Sequence, residues 1–161
     1  TIKGIALASH LENKQVGRRM AEACKKALLR AGHDAAIELV EDRTAAQEGA
    51  ALALFAETDG GTILGADMAG RLGRRSEDIG RAVAKMLLED LETGSSVDRY
   101  LADQLILFAA LARGRSRFKI PRLSDHVRTN LWLVEKILGA GSTLSDSWIE
   151  IEGISYERAE K

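Results

Sequence analysis

The chain has 161 residues, of which 45% are hydrophobic, 29% charged and 4% aromatic, and its formal net charge at pH 7 is −1. This composition is typical of a globular protein, and the near-zero charge excludes a nucleic-acid binder that works by bulk attraction. The longest apolar run, residues 105–112, is far shorter than the roughly 18 residues of a membrane helix, so we expect no membrane partner. A single cysteine favours a reduced, cytoplasmic protein.

The first elements predict a strand followed by a helix. Residues 2–9 are rich in aliphatic side chains and indicate a buried strand. Asn13 is a plausible N-cap for a helix over residues 14–31, and Gly32 is expected to end that helix as its C-terminal cap. The chain begins at Thr1 rather than Met and opens directly on this strand, so we expect a piece of a longer protein.

Three more strands and a second helix are predicted before residue 94. The strands cover residues 35–40, 50–58 and 62–66. Asp59-Gly60 between the last two is a strong hairpin signal, and a glycine-containing loop is expected over residues 65–73. Ser76 then begins a helix with acidic residues in its first turn. The order strand-helix-strand-strand-strand-helix predicts a mixed α/β unit of the two-layer α+β kind.

Residues 94–96, Gly-Ser-Ser, predict a boundary between a domain over residues 1–94 and a second over residues 95–161. Ser95, three residues before Asp98, matches a capping box for a helix over residues 97–111. The apolar face expected to point inward in this helix carries Leu101, Leu105 and Phe108.

The remaining chain predicts a strand, a helix and one or two further strands. Residues 115–120 alternate, with a basic face formed by Arg115, Arg117 and Lys119. Ser124 or Asp125 is expected to cap a helix over residues 126–138. Residues 142–156 predict the last strand or strands.

Several classes of site lack their motifs. The sequence has no phosphate-loop, dinucleotide-fold, hydrolase-elbow or zincin pattern. Its three histidines have no ligand-like spacing, and one cysteine cannot build a cysteine-rich zinc site, so no metal ligands are predicted in this chain.

His126 is the most informative candidate, because it lies in the first turn of a predicted helix. Unsatisfied backbone N–H groups and the positive end of the helix dipole accumulate there and suit an anionic phosphate. A histidine at this place could attack a phosphorus atom, although a packing or capping role is the common alternative.

A second candidate group, Tyr100, Asp103 and Gln104, shares one helical face and offers a ring, a carboxylate and an amide. Such groups stack on and hydrogen-bond to a purine, although a solvated helical face is the alternative. Two basic clusters could hold phosphates through arginine or could be solvated faces. They are Arg71/Arg74/Arg75 and Arg113/Arg115/Arg117/Lys119. The basic strand is the better candidate because it leads into the His126 helix.

Two segments together resemble the C-terminal half of the RNA 3′-terminal phosphate cyclase family. The first is Tyr100-Leu101-Ala102-Asp103-Gln104-Leu105, and the second is the run His126-Val127-Arg128-Thr129-Asn130-Leu131-Trp132-Leu133-Val134-Glu135. The opening Gly4-Ile5-Ala6-Leu7-Ala8-Ser9-His10-Leu11 is also similar to that family, where a small domain is inserted. The resemblance therefore runs over essentially the whole chain.

The resemblance implies an enzyme that uses ATP and a divalent metal, Mg or Mn, to convert an RNA 3′-phosphate into a 2′,3′-cyclic phosphate. By matching position, His126 is expected to be the nucleophile that becomes adenylylated. Tyr100, Leu101, Ala102, Asp103 and Gln104 are expected to lie against the ATP.

The resemblance also implies that residues 1–94 are the inserted domain and residues 95–161 the last β/α repeat of the catalytic domain. Family members are about twice as long, so the N-terminal half of the same protein is an expected partner that supplies most metal ligands. We therefore expect this chain alone to be inactive. The alternative is a non-catalytic, cyclase-like module that binds RNA or protein.

Overall fold

The computed structural model describes residues 1–157 and divides the chain into two compact units. Unit 1 comprises Thr1–Glu92 and unit 2 comprises Thr93–Lys161. Each unit has its own hydrophobic core, and the two are described separately.

Unit 1 has the predicted order of elements. It contains β1 (Ile2–Ser9), α1 (Val16–Arg30), β2 (Ala35–Asp42), β3 (Gly49–Glu57), β4 (Ile63–Ala69) and α2 (Ser76–Glu92). The sheet order is β2-β1-β3-β4. β1 and β2 are parallel because α1 carries the chain back between them, whereas the short connection from β3 to β4 gives an antiparallel pair.

The core of unit 1 lies between one face of the sheet and the two helices. Burial alternates along β1, so its inward side chains pack under α1 and α2 while Ile5 and Leu7 on the other face are exposed. Cys24 in α1 is fully buried, and this burial raises the pKa of its thiol to about 12. The two-layer prediction is confirmed.

The start of α1 differs from the prediction. Asn13 lies in a single 3₁₀ turn over Glu12–Lys14, and the residue before the helix is Gln15 in the left-handed conformation. The prediction that Asn13 caps the helix is therefore wrong. At the other end, Gly32 has φ +83° and its N–H donates to the carbonyl of Leu29, so its predicted role in ending the helix is confirmed.

The hairpin at Asp59-Gly60 is confirmed, with the Thr58 N–H donating to the Thr62 carbonyl at 2.9 Å. The loop predicted over residues 65–73 is wrong in its first part. β4 continues to Ala69 because the nine-residue β3 offers backbone partners along its length, with Gly65 opposite Phe55. The connection to α2 is correspondingly short.

Unit 2 packs two helices on a three-stranded sheet. Its elements are α3 (Leu101–Leu111), β5 (Arg113–Lys119), α4 (Asp125–Leu138), β6 (Gly141–Ser145) and β7 (Trp148–Ile154). The sheet order is β5-β7-β6, and both pairs are antiparallel. Within residues 1–157 the molecule thus has four α-helices and two sheets, in agreement with the predicted mixed fold.

Helix α3 begins four residues later than predicted. Asp98 Oδ1 accepts hydrogen bonds from the N–H groups of Tyr100 and Leu101, at 3.0 and 2.8 Å, so Asp98 rather than Ser95 satisfies the start of the helix. The capping box expected at Ser95 is therefore wrong.

The inward face of α3 differs from the prediction at Phe108, whereas Leu101 and Leu105 pack partly against the core as predicted. Phe108 is 68% exposed, and the buried stripe is Ala102, Ile106, Ala109 and Ala110. A Cβ at Gly153 of β7 would lie 2.1 Å from the Ala112 carbonyl oxygen, so helix and strand approach too closely for large side chains between them. Alanines therefore face the sheet at this end of the helix, and Phe108 is exposed.

No helix among the described residues 1–157 has both the length and the apolar character that a bilayer crossing requires.

Candidate nucleotide site at the start of two helices

His126 lies in the first turn of α4, as predicted. The Ser124 Oγ accepts a hydrogen bond from the Val127 N–H at 3.2 Å, which confirms Ser124 as the N-cap. Val127 is fully buried, whereas the neighbouring His126 is exposed. A packed residue and a cap thus anchor the turn that presents the imidazole to solvent.

One hydrogen bond ties α4 to α3. The Asn130 amide Nδ2 donates to the backbone carbonyl of Asp103 at 3.1 Å. A groove of about 350 Å³ runs between the two helices and is largely apolar, with three polar residues at one end. Its lining residues are Asp103, Gln104, Leu107, Asn130, Leu133, Val134, Ile137 and Leu138.

The two helices run in parallel. After α3 the chain turns back through β5. Its last residue, Lys119, accepts a hydrogen bond from the Ser96 N–H and donates its own N–H to the Ser96 Oγ, just before α3. α4 then runs forward again, with Asn130 beside Asp103. Tyr100, the N-cap residue of α3, and His126, in the first turn of α4, therefore lie at the same end of the helix pair.

The side chains of residues 100–104, which are predicted to lie against ATP, differ in their exposure to solvent. Tyr100 is 49% exposed and Gln104 is exposed, whereas Asp103 is partly buried at the mouth of the groove. Leu101 packs partly against the core, and Ala102 is 0% exposed within it. A ligand can reach the side chains of Tyr100, Asp103 and Gln104, but not that of Ala102.

The sequence predicts no role for Asn130, which belongs to the same motif as His126. A usable signal was its position four residues after His126, which places both on one face of the helix. The amide holds the helix that carries His126 against the segment that follows Tyr100, so we regard Asn130 as a positioning residue.

The basic face of β5 is occupied by partners, which argues against it as the phosphate site. The antiparallel register sets Arg115 opposite Glu152 and Arg117 opposite Glu150, with Nε to Oε distances of 3.3 and 3.0 Å. The Arg117 guanidinium also lies 4.2 Å from the centroid of the Trp148 ring.

The third cation of that face is engaged as well. Lys119 Nζ donates to the Thr93 carbonyl at 2.7 Å. The alternating glutamates of residues 148–152 were the signal in the sequence for this ladder of opposite charges.

The other histidines lie in turns of unit 1. His10 has φ +57° and its Nε2 is 2.7 Å from the Ala45 carbonyl oxygen, and His33 is exposed after α1. Among the residues that the structure describes, no three His, Cys, Asp or Glu side chains come together in a group that could hold a metal ion. The described residues therefore do not fit the divalent metal that the resemblance implies.

The comparison with known families covers the whole of unit 1. Residues 1–92 match the family described as "RNA 3'-terminal phosphate cyclase (RTC), insert domain". This match spans more than half of the chain.

Whole-chain relatives carry the same name. Three curated proteins named RNA 3'-terminal phosphate cyclase are similar to the chain. The protein of Pyrobaculum neutrophilum is 35% identical over 158 residues, covering 94% of this chain and 46% of the relative. That of Pyrobaculum aerophilum is 34% identical over 161 residues, covering 98% and 46%. That of Methanothermobacter thermautotrophicus is 40% identical over 139 residues, covering 86% and 40%.

The chain thus spans slightly less than half the length of these curated relatives. The similarity includes unit 2 as well as the insert-domain match, because the alignments cover nearly all of the sequence. The chain belongs to the RNA 3′-terminal phosphate cyclase family.

Proposed function

We propose that this chain is the C-terminal part of an ATP-dependent RNA 3′-phosphate cyclase, with residues 1–94 as the inserted domain and residues 95–161 as the end of the catalytic domain. The observation that carries the proposal is the exposed His126 on an anchored helix start, at the same end of the helix pair as Tyr100. The family membership and the names of the relatives support it.

In the proposed reaction, an imidazole nitrogen of His126 attacks the α-phosphorus of ATP. A nitrogen–phosphorus bond forms and pyrophosphate leaves with the electrons of the broken anhydride bond. An oxygen of the RNA 3′-phosphate then attacks the same phosphorus and releases His126, leaving AMP joined to the RNA end. Finally the adjacent 2′-hydroxyl attacks the RNA phosphorus, AMP leaves, and the hydroxyl proton passes to solvent. Dividing the transfer through a covalent intermediate is nucleophilic catalysis.

The other residues of the site are proposed to bind the adenine base and to position His126. The Tyr100 ring offers a surface for stacking, and the Gln104 amide offers both a donor and an acceptor for a base edge. Asp103 lines the groove and Leu101 packs partly against the core. Ala102 is buried in that core, so only its backbone can lie near a ligand. Asn130 holds α4 in place, which matters because an in-line attack depends on position.

The N-terminal half of the parent protein is a proposed partner. The outward faces of α3 and α4 carry Phe108, Trp132 and Ile137, which are 68%, 55% and 73% exposed. Large apolar side chains exposed to this extent are candidates for burial against a partner. We place the ligands of Mg or Mn in that half, so no step above is routed through a metal. A single buried thiol suits a reducing, cytoplasmic setting.

The decisive experiment is covalent labelling of the full-length parent protein with α-labelled ATP. We expect the wild type to retain label after denaturation and His126→Ala to fall to background, because no other group replaces the imidazole. His33→Ala is the matched control, since His33 is an exposed histidine of unit 1, and it should label like the wild type.

Undiminished labelling of His126→Ala would remove His126 as the nucleophile. A folded wild type that takes up no label, yet binds RNA, would favour the non-catalytic alternative. The 161-residue chain alone is expected to give no cyclic phosphate, and turnover by it would show that the N-terminal half is dispensable.

A further inference from the structure

A cationic cavity lies in unit 1, whereas the site residues used above belong to unit 2. It measures about 540 Å³ and borders the loop formed by residues 70–75, between β4 and α2. Its described lining carries five cationic side chains, those of Lys14, Arg19, Arg71, Arg74 and Arg75, against one carboxylate, that of Glu48.

Four of these cations have no hydrogen-bonded carboxylate among the described residues. Arg19 is fully engaged, because its guanidinium donates twice to Glu77 at 2.8 and 3.0 Å. Arg75 lies 3.8 Å from Glu77, which is beyond hydrogen-bond range, and Arg74 contacts the Met68 sulfur at 3.0 Å. Within residues 1–157, neither Lys14 nor Arg71 is seen in an ion pair. Like charges gathered in this way repel each other, and a bound anion would relieve the repulsion.

The loop that carries three of these cations is held in a defined shape. The Gly70 N–H donates to the Ala50 carbonyl at 2.6 Å, and the Arg74 N–H donates to the Arg71 carbonyl at 2.9 Å. Gly73 has φ +81°, a conformation that a side chain would strain. The arginines therefore project from a fixed turn rather than from a flexible tail.

Two of the arginines line a second cavity as well. This second cavity of about 630 Å³ shares Arg71, Leu72 and Arg74 with the first, and its lining also includes Asp78. Leu72 at the tip is fully exposed, although it is surrounded by arginines. A single phosphate ion would occupy only a small part of one cavity, whereas a strand with successive phosphates and exposed bases can use both cavities and the apolar tip.

We propose that Lys14 and the loop of residues 70–75 form a binding site for the phosphate backbone of single-stranded RNA. The site takes internal backbone phosphates of the strand, whereas the proposed function assigns the chemistry at the 3′-phosphate to His126. This assignment rests on the proposed function, because that function makes RNA the substrate. The near-neutral charge of the whole chain is compatible with such a local site.

The test is fluorescence anisotropy of a labelled 20-nucleotide oligouridylate with a 3′-phosphate, titrated with the 161-residue chain at several salt concentrations. The triple variant Arg71→Ala/Arg74→Ala/Arg75→Ala should bind about tenfold or more weakly. Its slope of log affinity against log salt should fall by about 2, since each phosphate contact to a single strand contributes about 0.7. Lys14→Ala, on a separate segment, should lower the slope by about 0.7.

The matched control is Lys25→Ala/Lys26→Ala/Arg30→Ala, which removes the same charge from exposed positions of α1. It should change the affinity by less than about twofold if the effect is local rather than bulk attraction. Far-UV circular dichroism and urea midpoints confirm that all variants are folded.

Three results would overturn the assignment: no binding by the wild type, equal losses in the triple variant and its control, or full displacement by millimolar inorganic phosphate at constant ionic strength. The last result would indicate a site for one phosphate group rather than a strand. The ATP labelling of the parent protein is a separate measurement, so failure of the proposed function and failure of this site can be told apart.

Discussion

Gly80 allows the two helices of unit 1 to cross closely. A Cβ at this position would lie 2.3 Å from the Met20 carbonyl oxygen and 2.9 Å from the Cys24 nitrogen, both in α1. The glycine costs α2 helical propensity, about 1 kcal/mol relative to alanine. The fold accepts this cost because any side chain would force the helices apart.

We therefore expect Gly80→Ala to lower the free energy of unfolding by about 1–3 kcal/mol, because the clash outweighs the gain in propensity. Urea unfolding followed by circular dichroism measures the change. Gly17→Ala is the control, since its Cβ would meet its nearest neighbour at an ordinary 3.5 Å, and it should be neutral or stabilising. A Gly80→Ala protein as stable as the wild type would show that the crossing is looser than described.

At the scale of elements, the Arg19–Glu77 pair joins α1 to the first turn of α2. Two hydrogen bonds from Arg19 hold the pKa of Glu77 down to about 2, from an ordinary 4.5. Because the folded pKa lies below the unfolded one, the pair stabilises the fold above pH 4.5 and loses its contribution as the pH falls from 4.5 toward 2.

The difference in unfolding free energy between the wild type and Glu77→Gln should thus be largest near neutral pH and shrink toward zero at pH 2. Urea unfolding at about pH 2.5, 4 and 7 measures this difference. Arg19→Gln should flatten the pH dependence in the same way, since it removes the other partner. A difference that stays constant over this range would contradict the role assigned to the pair.

Much of the element order could be predicted because its signals are local. Gly32 ends a helix, Asp59-Gly60 turns a hairpin and Ser124 caps α4, and each acts through its own backbone. The exposure of Phe108 in α3 could not be predicted, because it depends on the close approach of the helix end to Gly153, more than forty residues away in the sequence.

The same distinction applies to the candidate site. The position of His126 at a helix start follows from the cap in its own turn. The pairing of Arg117 with Glu150 and the hydrogen bond from Asn130 to Asp103 each depend on which elements become neighbours in space. A pattern within one element does not contain that information.

At the scale of the whole molecule, each core is made of residues from one unit. The buried cluster of unit 1 draws on residues 2–87, and that of unit 2 on residues 97–151. Both tryptophans, Trp132 and Trp148, belong to unit 2. Tryptophan fluorescence therefore reports on unit 2, whereas circular dichroism reports on both.

We expect residues 1–92 alone to unfold cooperatively, because their core is complete without unit 2. Circular dichroism should give a urea midpoint for residues 1–92 alone that is close to the midpoint of unit 1 within the 161-residue chain. Residues 93–161 alone are the comparison, and they should bind a hydrophobic dye through exposed residues such as Phe108 and Ile137. A broad, non-cooperative transition of residues 1–92 would contradict the expectation.

The buried Cys24 can be used to measure how often unit 1 opens. It is the one cysteine in the sequence, and its backbone lies against Gly80 at the helix crossing. Because the thiol is buried and its pKa is raised to about 12, a maleimide reagent can react with it only after α1 and α2 separate. The rate of Cys24 alkylation therefore reports on the rate at which unit 1 opens. In the closed protein, a cysteine placed at Leu72 would accept a probe at the arginine loop without any background label.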